Sequence, residues 1–372
     1  MAGKAKKKDK KEMRTGYTTG ACATATTKAA LLALITGEPQ TESTIYLPVG
    51  KFATFEIESC VIDTGYAEAG TIKDAGDDPD ATHGALIKST VSWSNKPGIT
   101  LDGGIGVGRV TKEGLPVPVG EAAINPVPRK MILETAEEVL TSHDISRGIT
   151  IIISVPDGEK MAEKTLNKRL GIIGGISILG TRGTVIPFSS SAYMASIVQA
   201  ISVARASQCN HVVITTGGRS EKYAMQQYPE LPEEAFIEMG DFVGFTLKQC
   251  KKQEIKKVSL VGMMGKFSKV AQGVMMVHSK SAPVDFNFLA RVAVEAGVTD
   301  DELLETIKQA NTASQVGDLM VENGFNNFFT LLCTYCCLSG LKEVNGGISI
   351  ETSLYTMKGI LLGKAGKHEG NN

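Results

Sequence analysis

Apolar and polar residues alternate along "ESTIYLPVGKFATFEIESCVID", with turn residues between the runs. That period-2 pattern predicts strands of an antiparallel sheet. Just before it, "RTGYTTGACATATTKAALLALITG" predicts a helix of an unusual kind. The apolar stripe that ordinarily anchors a helix begins only at Leu31, and the turns before it are Thr, Gly and Ala. Gly16 and Gly20 let another body approach the backbone closely, and the threonines offer hydroxyls. Further on, "GYAEAGTIKDAGDDPDATHGALIKSTVSWS" predicts an acidic loop followed by a strand, and "GITLDGGIGVGRVT" a hairpin with a flexible glycine loop. "AINPVPRKMILETAEEVLTSH" predicts a helix starting after two prolines. "GITIIISVPDGEKMAEKTLNKRLGIIGGISILG" predicts a buried strand, an amphipathic helix from near Pro156, and a Gly/Ile-rich turn into a strand.

From about Ser189 the rhythm changes. "HVVITTGG" and "VSLVGMMGKFSKVAQGVM" read as strands that run into glycines and then helices. "SSSAYMASIVQAISVARASQ", "EKYAMQQY" and "EEAFIEMGDFVGFTLKQCKKQ" read as helices, as does nearly everything onward to about Leu341, and "GISIETSLYTMKGILLGKAG" closes with a strand. Strand–helix alternation implies a parallel sheet covered by helices. The expected fold class is therefore two-domain: an α+β domain with a largely antiparallel sheet over 13–185, and a Rossmann-like α/β domain with parallel strands over 186–372. A disordered basic tail, 1–12, precedes them.

Charge narrows the function classes. Lys+Arg 39 against Asp+Glu 40 advertises no long-range attraction to nucleic acid or an anionic membrane, so an acidic ligand must meet a local basic cluster. No apolar run approaches the ~18 residues that cross a bilayer. The lysine-rich start is followed by Thr, Gly and Ala and only the short "AALLALI", so secretion is not expected. Seven cysteines at irregular spacing suit a reducing cytoplasm better than a disulfide framework.

Candidate chemistry falls in loops. "KDAGDDPDATHG" concentrates Asp74, Asp77, Asp78, Asp80 and His83 without the full spacing of a calcium loop. Mutual repulsion gives a purely structural loop little reason to gather four carboxylates, so a functional loop is expected. "GGIGVGRV" resembles a dinucleotide fingerprint but is followed by "RVTKEG", which does not read as a helix. Arg109, with Asn125, Arg129 and Lys130 downstream, suits a carboxylate-rich ligand, because Arg grips carboxylates bidentately. Later, Gly217, Gly218, Gly262 and Gly265 stand where parallel strands end, the edge at which open α/β sheets bind ligands, with Arg219 and Lys266 beside them. Gly262 to Lys266 is too short for a Walker A loop. Cys333, Cys336 and Cys337 lie in an apolar helix and read as core side chains, so no metal site is expected. His211 reads as structural, and no role is assigned to His278.

Taken together, "RTGYTTGACATATTKAA", "KDAGDDPDATHG", "GVGRVTKEGLPVPVGEAAINPVPR", "TTGGRSEKYA" and "GMMGKFSKVAQG" closely resemble the cobalt-precorrin-5B C(1)-methyltransferase family, CbiD, from about Met13 to the last strand. The resemblance implies methyl transfer from S-adenosylmethionine to ring carbon C-1 of a cobalt-bearing tetrapyrrole, giving cobalt-precorrin-6A in the anaerobic route to vitamin B12. Cobalt enters only as part of the substrate. The chain departs from the family pattern at Ile105, where an acidic residue is expected, at Ala122, where Pro is usual, and at the serines of "PFSSSAYMAS".

Under that resemblance the residues acquire expected roles. Asp74, Asp77, Asp78, Asp80 and His83 are candidates for proton movement or for holding ribose hydroxyls. Thr18, Thr19, Gly20, Gly217, Gly218, Gly262 and Gly265 are candidates for holding the methyl donor. Arg14, Arg109, Asn125, Arg129, Lys130, Arg219 and Lys266 are candidates for the substrate's acetate and propionate arms. The acceptor is an electron-rich ring carbon, so no nucleophilic side chain is required. A cytoplasmic protein is expected, with no nucleic-acid or membrane partner. Homo-oligomerisation and transient contact with neighbouring pathway enzymes stay open. Two rivals remain: an NAD-dependent oxidoreductase using "GGIGVG", and a non-catalytic carrier of a cobalt tetrapyrrole.

Overall fold

The computed structural model describes residues 13–278 and 280–367. The expected basic tail lies outside the described residues. The chain is mixed α/β with sheets of mixed strand orientation, and it forms two units, residues 1–190 and 191–372.

The first unit is built on a five-stranded sheet in the order Ser59–Asp63, Tyr66–Ile72, Leu86–Ser94, Gly148–Ser154, Ile99–Gly103. Its first three pairings are antiparallel and the last is parallel. Helix α1 (Thr19–Thr36) lies on this sheet, capped by Thr18 at its start and by left-handed Gly37 at its end. The small residues of α1 turn out to be its packing face, since every residue from Thr19 to Thr27 is buried. A helix without bulky side chains approaches a sheet closely, and its buried hydroxyls must then find acceptors. They do: Thr24 donates to Gly20 O at 2.8 Å, Thr27 to Ala23 O at 2.8 Å, and Thr26 lies 2.7 Å from Ser89 Oγ on the central strand Leu86–Ser94. Helix α2 (Pro126–Ser142) crosses at Gly20, where a Cβ would stand 2.6 Å from Pro128 Cγ. The separate hairpin Glu42–Leu47 with Lys51–Glu56 keeps its alternating burial and antiparallel pairing as its pattern predicts.

Three expectations for this unit are corrected. Helix α2 starts at the first proline, because Pro at the opening position of a helix gives up only an N–H that has no intrahelical partner there. The helix expected from near Pro156 is a single short turn, α3 (Gly158–Ala162), followed by turns. The glycine loop is not a hairpin. Gly106–Val107 pairs in parallel with Gly175–Ile176, and Arg109–Val110 pairs antiparallel with Ile172–Ile173. Gly106 has φ +71, and a Cβ there would sit 1.8 Å from Val155 O. These glycines are therefore closely packed rather than flexible.

The second unit holds a five-stranded sheet in the order Phe236–Glu238, His211–Thr215, Lys257–Met263, Ser349–Tyr355, Leu361–Lys367. The first four strands run parallel and the last antiparallel. Val212, Val213, Ile214, Val258, Leu260 and Val261 are buried, as a parallel sheet covered on both faces requires. The stretch read as one helix from Glu233 instead contains the edge strand Phe236–Glu238, with a helix only over Val243–Lys252. Pairing with His211–Thr215 overrides local preference there. The closing segment is two strands rather than one. Cys333, Cys336 and Cys337 are core residues of the helix Asn327–Val344, with Cys333 Sγ against Gly363 O and Cys336 Sγ against Phe267 O.

Close packing at Gly106 predicts an unequal response to alanine. Gly106→Ala combines left-handed strain with a clash against Val155 O and should cost ~3 kcal/mol or more. Gly120 has φ +90 but nothing within 4 Å of an added Cβ, so Gly120→Ala should cost only about 1–2 kcal/mol of strain. Thermal melts should therefore place Gly106→Ala several degrees below Gly120→Ala, and equal shifts would contradict this packing.

Candidate functional site

The acidic loop of the first unit folds back on the segment leading into α1. Tyr17 N–H donates to Asp74 O at 2.7 Å and Asp77 N–H to Arg14 O at 2.9 Å. This approach is backbone on backbone, since a Cβ on Gly16 would stand 2.1 Å from Ala75 C. The loop's carboxylates are then taken up one by one. Asp74 accepts two hydrogen bonds from the Arg14 guanidinium and one from Gly76 N–H at 2.9 Å. The Arg14 bond, aided by Gly76 N–H, holds the Asp74 carboxyl at about 2. Asp77 accepts from Arg14 N–H at 2.9 Å and Asp78 from Phe188 N–H at 2.9 Å. His83 Nδ1 accepts from Ala75 N–H at 3.1 Å, which leaves Nε2 as the ring's other polar atom.

Asp80 is placed differently, because it faces a cavity. Its partner is Lys73, 1% exposed, whose Nζ donates to Asp80 Oδ2 at 2.7 Å. Thr82 adds two more donors to Asp80 Oδ1, from its N–H at 2.7 Å and its hydroxyl at 2.6 Å. Burial works to raise the Asp80 pKa, but Lys73 and Thr82 outweigh it and the carboxyl titrates below its ordinary value. The cavity is about 140 Å³ and is lined by Thr18, Thr19, Lys73, Asp80, Thr82 and Asn167, among others. Thr18 fits there because Gly180 has no side chain, since a Cβ on Gly180 would meet Thr18 Cβ at 2.3 Å. Thr19 Oγ1 is tied to the segment after Gly175–Ile176, accepting from Leu179 N–H at 2.9 Å. Of the residues picked from sequence, Thr18, Thr19 and Asp80 are brought together here, while Gly20 is occupied by its contact with Pro128. Lys73 and Asn167 were missed: a lone lysine ahead of an acidic run carries no signal of burial.

The basic residues after the glycine loop form another group. Arg109 donates to Asp102 at 2.8 Å and to Gly103 O and Gly120 O. Arg129 pairs with Glu121 at 3.1 Å and Lys130 with Glu134 at 3.5 Å. Arg129 and Lys130 line a groove of about 580 Å³ walled by Pro116, Pro118, Pro126 and Leu133. Asn125 precedes α2 without a side-chain capping bond. Ile105 is 76% exposed, so the position where an acid was expected faces solvent.

In the second unit the candidate residues meet at the carboxyl edge of the parallel strands. A Cβ on Gly218 or Gly265 would meet nothing within 4 Å, so packing does not demand glycine at either place and the backbone there is open to a ligand. Gly262 differs, because its Cβ would fall 1.8 Å from the Phe267 ring, and it serves the core. Lys266 Nζ lies 3.0 Å from Asp241 Oδ1 and within 3.5 Å of Thr216 O and Gly240 O, joining the ends of neighbouring strands. Arg219 is exposed, with Nη1 3.5 Å from Met357 Sδ. Glu238 ends the neighbouring strand in register with Thr215, and a Cβ on Gly217 would be 3.7 Å from its Oε1. An acid about twenty residues after the glycine turn, ending the adjacent parallel strand, is where nucleoside-binding folds hold ribose hydroxyls. Sequence reading missed Glu238 because its strand was read as helix, although that spacing could have found it. Among the described residues, no group of three or more His, Cys, Asp or Glu could hold a metal ion, and no helix is long and apolar enough to cross a membrane.

Comparison with known proteins completes the picture. The family model CbiD matches residues 6–187, and the model CbiD, C-terminal domain, matches residues 276–366. The chain is 72% identical to a cobalt-precorrin-5B C(1)-methyltransferase of Priestia megaterium, a match covering 97% of this chain and 98% of that protein. It is 71% identical to a protein of the same name from Geobacillus sp. (strain WCH70), over 98% of this chain and 99% of that one. Among solved structures, it shares 30% identity with a cobalamin biosynthesis protein (cbiD) from Archaeoglobus fulgidus, covering 68% of this chain and 78% of the other with a TM-score of 0.39. The chain belongs to the CbiD family.

Proposed function

We propose that this chain is a cobalt-precorrin-5B C(1)-methyltransferase. It moves a methyl group from S-adenosylmethionine to ring carbon C-1 of cobalt-precorrin-5B, giving cobalt-precorrin-6A in anaerobic cobalamin biosynthesis. The observation that carries this reading is identity above 70% over nearly the whole length of two methyltransferases of that name. The cobalt belongs to the substrate, and the tetrapyrrole is the small-molecule partner. A cytoplasmic location fits a biosynthetic enzyme of this kind.

When bound, S-adenosylmethionine supplies a methyl group activated by a positively charged sulfur. The second unit, read as a Rossmann-like support, fits this donor. Open backbone at Gly218 and Gly265, with Gly217 beside them, receives it, and Glu238 accepts from its ribose hydroxyls. Lys266 fixes the strand ends through Asp241. The substrate's carboxylate arms call for cations, and Arg129 and Lys130 on their groove, with Arg109, Arg14 and Arg219, are the candidates. The acceptor is itself a nucleophile, so the protein's work is positioning and control of charge. The buried thiols agree: burial raises Cys22 and Cys250 to about 12, far from a reactive thiolate. Asp74, held at about 2, is too weak a base for neutral pH, and Asp77 and Asp78 hold backbone amides. His83, whose Nδ1 accepts from Ala75 N–H, presents Nε2–H as a hydrogen-bond donor from the acidic loop.

Two outcomes test the reading. Incubation of the purified chain with cobalt-precorrin-5B and S-adenosylmethionine should raise the pigment's mass by one methyl group. An unchanged pigment mass would favour the carrier, and hydride transfer with NAD the oxidoreductase. Glu238→Gln should raise KM for S-adenosylmethionine about tenfold, as loss of one charge-assisted hydrogen bond does, with kcat and Tm nearly unchanged. An unchanged KM would remove Glu238 from the donor site.

A further inference from the structure

The Lys73 ammonium is the most deeply buried cation of the described residues and is 1% exposed. An ammonium has three N–H donors, and Lys73 uses one of them on Asp80 among the described residues. Burial of a charge is costly unless its hydrogen bonds are filled, and here two are left over beside the cavity. Thr18 Oγ1 accepts from Ala21 N–H at 3.2 Å and keeps its own proton to donate. Both Thr18 and Thr19 stand at the start of an 18-residue helix with no acidic residue in its first turn, so the helix adds positive partial charge on the same side. The Lys73–Asp80 pair is net neutral, so what the cavity offers a carboxylate is the unused Lys73 N–H donors, the Thr18 hydroxyl and the helix start rather than a net charge. At about 140 Å³ the space holds several waters, room for a short carboxylate arm. Thr165, Asp80 and Val185 are partly exposed and Leu179 is exposed, so the lining reaches solvent while Lys73 lies at its floor.

We propose that this cavity is a carboxylate site, in which Lys73 and the Thr18 hydroxyl receive one carboxylate arm of the tetrapyrrole. The proposal rests on the methyltransferase reading for the arm's identity, while the site itself rests on the cavity and its buried ammonium. The donor's amino-acid end also carries a carboxylate, and the test separates the two sources.

Lys73→Met alone would strand Asp80, so the informative protein is the double variant Lys73→Met/Asp80→Asn, which removes both charges together. Its Tm should stay within a few degrees of wild type. Absorbance titration should show cobalt-precorrin-5B binding the double variant about ten- to hundredfold more weakly, the worth of a charge-assisted bond, with affinity for S-adenosylhomocysteine unchanged. Loss of S-adenosylhomocysteine affinity instead would move the carboxylate to the donor and overturn the assignment to the tetrapyrrole. Unchanged affinity for both ligands in a folded double variant would overturn the site and leave Lys73 as a brace for the loop. Should that variant fail to fold, lysine Nζ resonances of the wild-type chain carry the test. A buried ammonium signal that moves on adding propionate supports the site, and one that does not move overturns it. Wild-type chain that binds the tetrapyrrole through Lys73 yet transfers no methyl group would reject the methyl-transfer reading and leave this site standing.

Discussion

The first unit depends on backbone meeting backbone with no side chain between. Gly16 faces Ala75 and Gly76 so closely that a Cβ on Gly16 would overlap their main-chain atoms, and Gly76, at φ +69, makes the same demand in return. Tyr17 N–H to Asp74 O and Asp77 N–H to Arg14 O close the contact. Helix α1 continues the principle by laying Gly, Ala and Thr on the sheet, with hydroxyls returned to helix carbonyls and to Ser89. That approach sets the beginning of α1 beside Lys73, Asp80 and Thr82, and so makes the cavity.

It also explains how one loop tolerates so many acids. Asp74 and Asp77 secure the incoming chain at Arg14, Asp78 holds Phe188 N–H, and only Asp80 faces the cavity. Four carboxylates in seven positions are therefore not one catalytic cluster but several separate fastenings around a buried cation. The second unit uses glycine in two ways at one sheet edge. Gly262 makes room for the Phe267 ring, whereas Gly218 and Gly265 leave room that no protein atom fills.

Much of this was legible in the sequence, and what was not has physical causes. Period-2 alternation identified the hairpin Glu42–Leu47 with Lys51–Glu56, and apolar runs identified the parallel strands His211–Thr215 and Lys257–Met263. Long motifs identified the family. The strand Phe236–Glu238 escaped because three residues carry no periodicity of their own and are held by their neighbour. The glycine loop at Gly106 escaped because flexibility and close packing call for the same residue, and only Val155 O at 1.8 Å decides between them. Lys73 escaped because burial of a lysine is decided by the tertiary fold, which sets it in a cavity that Asn167 and Ser177, far along the chain, also line. Acids were easier to find than to interpret, since Asp74 and Asp80 differ only in what the fold places beside them.

The claim that close backbone approach holds the acidic loop to the start of α1 is tested most directly by amide hydrogen exchange at Tyr17 and Asp77 in wild type and in Gly16→Ala. Protection follows local opening, so both amides should exchange slowly in wild type and at least about tenfold faster in the variant, while amides of the sheet strand Lys257–Met263 keep their rates. Equal protection of Tyr17 and Asp77 in the two proteins would contradict the account.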